Sequence, residues 1–142
     1  MPELAPWQLE LLAGSRIGHL ATVDDNGRPH VVPVCFVYLP GAVYTPIDEK
    51  PKRAAATQLR RIRNIHARPD ATLVVDRYSE DWTELAWLQL RGMAGLSEDP
   101  AERSTALVAL CTKYKQYRSM DLESRPLIRL TVSSAIGWRA AN

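Results

Sequence analysis

Residues 17–48 read IGHLATVDDNGRPHVVPVCFVYLPGAVYTPID, and the punctuation of this stretch decides the fold. Asn26-Gly27 separates two runs of apolar and β-branched residues, and such a pair supplies the positive φ angles of a tight hairpin. Pro40-Gly41 marks a second break before AVYTPID. The pattern predicts three antiparallel strands in sequence, over about residues 16–24, 28–39 and 42–48. Pro33 falls inside the second run, where it removes a ladder donor, so that strand is expected at a sheet edge or opened locally. An interrupted strand leaves backbone groups free to face a ligand.

Upstream of this stretch, Leu4, Trp7, Leu9, Leu11 and Leu12 suggest a short opening helix, with Gly14 placed to end it at positive φ. Downstream, ATLVVDRY and ELAWLQLRGMAGL resume the strand pattern, and the second alternates Ala86, Leu88 and Leu90 against Leu85, Trp87 and Gln89. Gly92 marks a bulge or a close backbone approach. Asp99-Pro100 then starts a helix, since Asp can cap free amides and Pro tolerates the first turn. Leu107, Leu110, Cys111 and Tyr114 supply its apolar face at i, i+3, i+4 and i+7. A final strand runs through LIRLTVSSAIGW, with Ile128, Leu130 and Val132 on one side. The expected fold is mostly β: a six-stranded antiparallel split barrel flanked by two or three helices, built as one domain over residues 1–142.

Composition narrows the class. Apolar residues make up 46% and charged residues 24% of the 142, which is ordinary for a soluble globular protein with one core. No window approaches the length of apolar chain that spans a bilayer, and MPELAPWQLE lacks the basic start and apolar core of a secretory signal, so a cytoplasmic protein is expected. Cys35 and Cys111 form no C-x-x-C pair and are expected to be small buried apolar residues. His19, His30 and His66 share no helical spacing, so no protein-built metal site is expected.

The formal charge of +2 hides a strong asymmetry. From Lys50 to Pro69 there are seven basic residues (Lys50, Lys52, Arg53, Arg60, Arg61, Arg63, Arg68) and no Asp or Glu, so this segment carries +7 and the remainder −5. A solvated helix face interleaves both signs, because like charges at i, i+3 and i+4 repel. Here Leu59, Ile62 and Ile65 recur at helical spacing while Arg60, Arg61, Arg63 and Asn64 lie elsewhere on the wheel. The cluster begins in a loop at a strand end and continues into a helix, which lets cationic heads converge on an anion. Nucleic acid is disfavoured, since the segment contains no aromatic stacking platform.

The order and spacing of IGHLATVDDNGRPHVVPVCF, DEKPK, LRRIRNI, ARP, LVVDRY, DW, LRGMA and KYKQY resemble the pyridoxamine 5'-phosphate oxidase-like split β-barrel flavoproteins. Within that family the closer resemblance is to the branch that uses the deazaflavin coenzyme F420, and it extends from about Ile17 to Trp138. The resemblance implies a homodimer with two cofactor sites at the subunit interface. It implies that Arg61 reaches the cofactor phosphate, with Arg60 beside it and Lys50, Lys52 and Arg53 in a lengthened stretch before the helix. It also implies that the backbone of Val32, Pro33 and Val34 edges the ring pocket. Thr45, Ile47 and Asp48 then lie on the strand beside the ring, and Trp82 near the cofactor held mainly by the other subunit.

FMN carries one phosphate, whereas the deazaflavin coenzyme adds a tail of several carboxylates. Seven cations without a nearby acid exceed what one phosphate requires, and Arg offers a two-pronged fit to phosphate and carboxylate alike. The expected activity is therefore an F420-dependent oxidoreductase acting on a small conjugated substrate, with FMN as the alternative cofactor. In such an enzyme the ring performs the hydride chemistry and the protein binds and orients it, so no catalytic side chain is singled out. Split barrels also hold cofactors or tetrapyrroles without turnover, which keeps a binding protein open as another class.

Overall fold

The computed structural model describes residues 1–48 and 59–140. Among these, seven strands form one antiparallel sheet: β1 (Gly18–Val23), β2 (Pro29–Val34), β3 (Val37–Leu39), β4 (Ala42–Pro46), β5 (Asp70–Arg77), β6 (Ala86–Leu96) and β7 (Leu127–Arg139). Three α-helices accompany them: α1 (Pro6–Gly14), α2 (Arg60–Ala67) and α3 (Pro100–Lys113). The strand order is β2-β1-β5-β6-β7-β4-β3.

That order forces the sheet to curl. β2 and β3 occupy its two edges, yet only Cys35 and Phe36 join them. Seven flat strands at about 4.8 Å spacing would set the edges about 29 Å apart. The link from Val34 to Val37 reaches about 11 Å at most. The two edges must therefore come round to face one another as a barrel that is closed by chain but not by a hydrogen-bond ladder. Tyr114 fills the gap: its hydroxyl accepts from the Phe36 N–H at 3.0 Å and lies within bonding distance of the Phe36 and Arg16 carbonyls. Buried backbone groups that no strand neighbour satisfies need such a partner.

The predicted strand over 28–39 is thus two strands, which raises the count from six to seven. Pro33 sits in an edge strand as expected, and the bend after Val34 sends the chain to the opposite edge. The β1–β2 hairpin also differs in detail. Only Gly27 takes positive φ, at 80°, because the Asp24 carboxylate accepts from the N–H groups of Asn26 and Arg28 and holds the loop without a second left-handed residue. Pro40 and Gly41, the latter at φ 92°, form the β3–β4 turn. Gly14 does not take positive φ; the Leu11 carbonyl accepts from both the N–H and the hydroxyl of Ser15, and an extended Ser15 ends α1 instead.

Gly92 does mark a bulge. The β6–β7 register shifts between Arg91 and Gly92, and a Cβ on Gly92 would stand 1.8 Å from the Thr131 carbonyl oxygen. No side chain fits there.

Apolar packing occurs on both faces of the curled sheet. Leu20, Phe36, Leu73, Leu88, Leu90 and Ile128 are among the fully enclosed residues inside the barrel. Outside it, α3 lays Ala106, Leu107 and Leu110 over Tyr44 and Leu127. All five residues of β4 are buried, because this strand is covered from both sides. A second packed cluster therefore exists where one core was expected, and it shares its strands with the first. Each enclosed Leu or Ile contributes about 1.5–3 kcal/mol.

Candidate functional site

The basic helix begins directly after Leu59, and its burial pattern follows its packing on β1 and β6. Ile62 and Ile65 enter the barrel core as their spacing requires, but Asn64 is buried with them. Its Nδ2 donates to the Thr22 hydroxyl at 3.0 Å, which makes an interior position tolerable for an amide. The wheel had placed Asn64 outside, because polarity alone does not reveal a partner 42 residues away.

The described arginines do not converge. Successive helical residues point about 100° apart, and Arg60 is exposed within electrostatic reach of Asp24, on the β1–β2 hairpin. Arg68 is committed to that same hairpin, donating from Nη2 to the Asp25 carbonyl at 2.9 Å. Arg63 is exposed. Arg61 lies within electrostatic reach of Asp48, just past the end of β4. Lys50, Lys52 and Arg53 lie outside the described residues.

Arg61 is partly buried, and among the described residues its Nε is a covered donor with no hydrogen-bond partner. Burial lowers the pKa of the guanidinium, and the nearby Asp48 carboxylate opposes that shift. A buried, unsatisfied donor costs about 1–3 kcal/mol. Among the described residues the side chain is thus not fully satisfied, which fits a residue that receives an anion.

Asp48 is 5% exposed. Its Oδ2 accepts from the Tyr117 hydroxyl at 2.9 Å, and its backbone carbonyl accepts from Arg125 Nη1 at 3.2 Å. Tyr117 belongs to a short 3-10 turn, Lys115–Ser119, that follows α3. Burial first, then hydrogen bonding with Cys35 and Asp48, raises its pKa far above the usual tyrosine range. The sequence gives no local sign of this pairing, because the partner is 69 residues distant.

The remaining expected residues divide by what they can offer a ring. Val34 and Ile47 point into the barrel core, at 5% and 0% exposure, so neither side chain is a free wall and only their backbones remain available. Thr45 is also buried. Val32 is half-buried against the core, and Pro33 is exposed on the open edge of β2. Trp82 is 68% exposed on the β5–β6 connection.

Lys113, at the end of α3, is not a surface cation. Its ammonium turns inward, donating to the carbonyls of Leu12 at 3.2 Å and Phe36 at 3.0 Å over the Phe36 ring. Burial lowers it to about 8.

The outer face of β5, β6 and β7 mixes exposed apolar side chains with polar ones such as Asp70, Asp76, Gln89 and Arg91. Met93, Ile136 and Trp138 are exposed there, and Trp87 pairs with both Asp76 and Trp138. A cavity of about 370 Å3 lies beside them, lined by Tyr78, Trp87, Gln89 and Trp138. No group of three or more His, Cys, Asp or Glu able to hold a metal occurs among the described residues, and no described helix is long and apolar enough to cross a membrane.

Solved structures share this architecture. A conserved hypothetical protein of Mycobacterium tuberculosis superposes with a TM-score of 0.76 at 15% identity, covering 96% of this chain and 86% of its own. A FAD-binding protein of Mesorhizobium loti gives 0.70 at 20% identity, covering 97% and 96%. A heme-binding protein of Mycobacterium smegmatis gives 0.75 at 20% identity, covering all of this chain and 57% of the larger protein. Likeness at these identities shows the fold. No curated protein matches the chain. The family model for pyridoxamine 5'-phosphate oxidase matches residues 5–139, nearly the whole length, and with the split barrel it establishes that the chain belongs to the pyridoxamine 5'-phosphate oxidase family.

Proposed function

We propose that this protein is a cytoplasmic oxidoreductase that binds a flavin-type cofactor, with coenzyme F420 as the first candidate and FMN as the alternative. The observation that carries the reading is Arg61, a partly buried guanidinium at the start of a basic helix whose Nε has no partner among the described residues. A phosphate oxygen is the complementary acceptor, and charged hydrogen bonds of this kind are the strong ones. The M. loti relative, described as FAD-binding, is consistent with a flavin on this fold.

When bound, the cofactor ring supplies hydride transfer to a small conjugated substrate. The chain's own residues bind and orient it. Arg61 holds the anionic end, and Lys50, Lys52, Arg53 and Arg60 add positive potential that favours a longer polyanionic tail over a single phosphate. The exposed edge of β2 at Val32, Pro33 and Val34 offers backbone groups to the ring edge. The segment from Thr45 to Asp48 flanks the same end of the barrel.

The site is completed by a second copy of the chain. Met93, Ile136 and Trp138 present large exposed apolar side chains on the outer sheet face, of the kind a dimer covers, and Trp82 is exposed where it can reach a partner's cofactor.

Absorbance and titration of the purified protein test the proposal. A colourless preparation that quenches deazaflavin fluorescence at micromolar concentration is expected. A bound yellow FMN spectrum would move the assignment to the alternative, and a Soret band would place this chain with its heme-binding structural relatives. Failure to bind either flavin would remove the oxidoreductase reading.

A further inference from the structure

Lys113 and Arg16 stand side by side where the end of α1, strand β3 and the end of α3 meet. Arg16 Nη2 donates to the Lys113 carbonyl at 2.6 Å, and the two cationic heads lie over the same Tyr114 ring, at 4.8 Å and 5.3 Å from its centroid. The other partners of the Lys113 ammonium are neutral: the Leu12 and Phe36 carbonyls accept from it, and the Phe36 ring lies 3.9 Å away. Among the described residues no carboxylate pairs with either cation. Burial, then the charge of Arg16, lowers Lys113 to about 8, as expected of like charges held together without a counter-ion.

A groove of about 390 Å3 opens beside this pair. Leu9, Leu12, Val37, Leu39 and Ala109 supply its apolar wall, and Lys113 is the one charged residue that lines it. The two hydroxyls of the lining are already engaged: Thr112 donates to the Val108 carbonyl at 2.8 Å, and Tyr38 accepts from the Gly41 N–H at 3.3 Å. A volume of this size holds a small organic ligand, and a mostly apolar lining with one fixed charge orients what it binds. The complementary ligand is apolar along its length and carries a negative charge at one end. A sugar or nucleotide, polar throughout, would leave its polar groups unpaired against the leucines.

We propose that this groove binds a medium-chain monocarboxylate of the fatty-acid class: the carboxylate pairs with the Lys113 ammonium, Arg16 adds supporting charge, and the alkyl chain lies along Leu9, Leu12, Val37 and Leu39. The carboxylate serves as the counter-ion that the two cations lack, and the chain covers Leu9, which is 44% exposed. None of the residues lining the groove belongs to the flavin site proposed above, so occupancy of one site does not require the other.

Calorimetric titration of the full chain with decanoate, octanoate and decanol, each below its aggregation concentration, tests the site. Decanoate is expected to bind at one site per chain, about tenfold more tightly than octanoate, which is two methylenes shorter. It should also bind about tenfold more tightly than decanol, which lacks the charge. Lys113→Met keeps the apolar stem and should bring decanoate down to the level of decanol. Ala13→Trp fills the groove from an exposed position on α1 and leaves both cations in place. It should abolish decanoate binding and leave flavin titrations unchanged, with thermal melts reporting that each variant is folded. Should Lys113→Met fail to fold, Ala13→Trp and the comparison with decanol decide the matter. Decanol binding as tightly as decanoate, undiminished decanoate binding in folded Ala13→Trp, or no decanoate binding by the parent would each overturn the proposal.

Discussion

Asn64 donates to the Thr22 hydroxyl across 3.0 Å, with both side chains buried, and this bond ties the basic helix to the first barrel strand. Thr22→Val keeps the shape but strands the amide in the interior. The expected loss is about 1–3 kcal/mol in urea or thermal unfolding. Replacing both partners, as in Thr22→Val with Asn64→Leu, should recover part of it. A single variant as stable as the parent would show that the bond carries no net weight.

Arg61→Ala should separate binding from folding. Its Nε has no partner among the described residues and its burial disfavours the charge, so the barrel loses little when it goes. The expected result is a thermal midpoint within a few degrees of the parent, with cofactor binding weaker by about 1–3 kcal/mol in a fluorescence titration. A large fall in midpoint would instead assign Arg61 to the core.

Stability should rise with pH above 8. Burial lowers Lys113 from 10.5 to about 8, so between those values the unfolded chain binds the proton that the folded chain has lost. By linkage, stability increases across this window. Burial raises Tyr44, Tyr114 and Tyr117 above 10.0, so past that pH the folded chain retains protons that the unfolded chain has released, and stability declines. Thermal melts from pH 8 to 10 should therefore show a gain of about 1–2 kcal/mol, after discounting for partial exposure. Lys113→Met should flatten it. A parent protein whose stability falls over this interval would contradict the assignment.

Ile136→Asp probes the outer sheet face. At 42% exposure the residue is solvated in a single chain, so a charge there should leave the fold intact. Covered by a second copy, the same charge would be desolvated without a partner. Light scattering after size exclusion should show a dimer for the parent and a monomer for the variant. A parent that is monomeric at all concentrations would remove the proposed interface.

Much of the fold was legible because its signals are local. The turn glycines Gly27 and Gly41, the Asp99 cap, the Gly92 bulge and the alternation in β6 and β7 each depend on backbone conformation or on spacing within a few residues. The split of residues 28–39 into two strands was not legible. Pro33 announced an edge, but the destination of the chain after Val34 depends on which strands already occupy the sheet.

The sequence by itself determined the helices, the strands apart from the break between β2 and β3, and an acid-free basic segment of +7, since propensity, pattern and charge are properties of neighbours in the chain. Only the tertiary structure decided which cation meets which acid. It sent Arg60 and Arg68 toward the β1–β2 hairpin, Lys113 inward, and Arg61 within electrostatic reach of Asp48. The physical reason is that a charge is governed by burial and by partners brought from 13 to 101 residues away, and the closure of the barrel sets those distances.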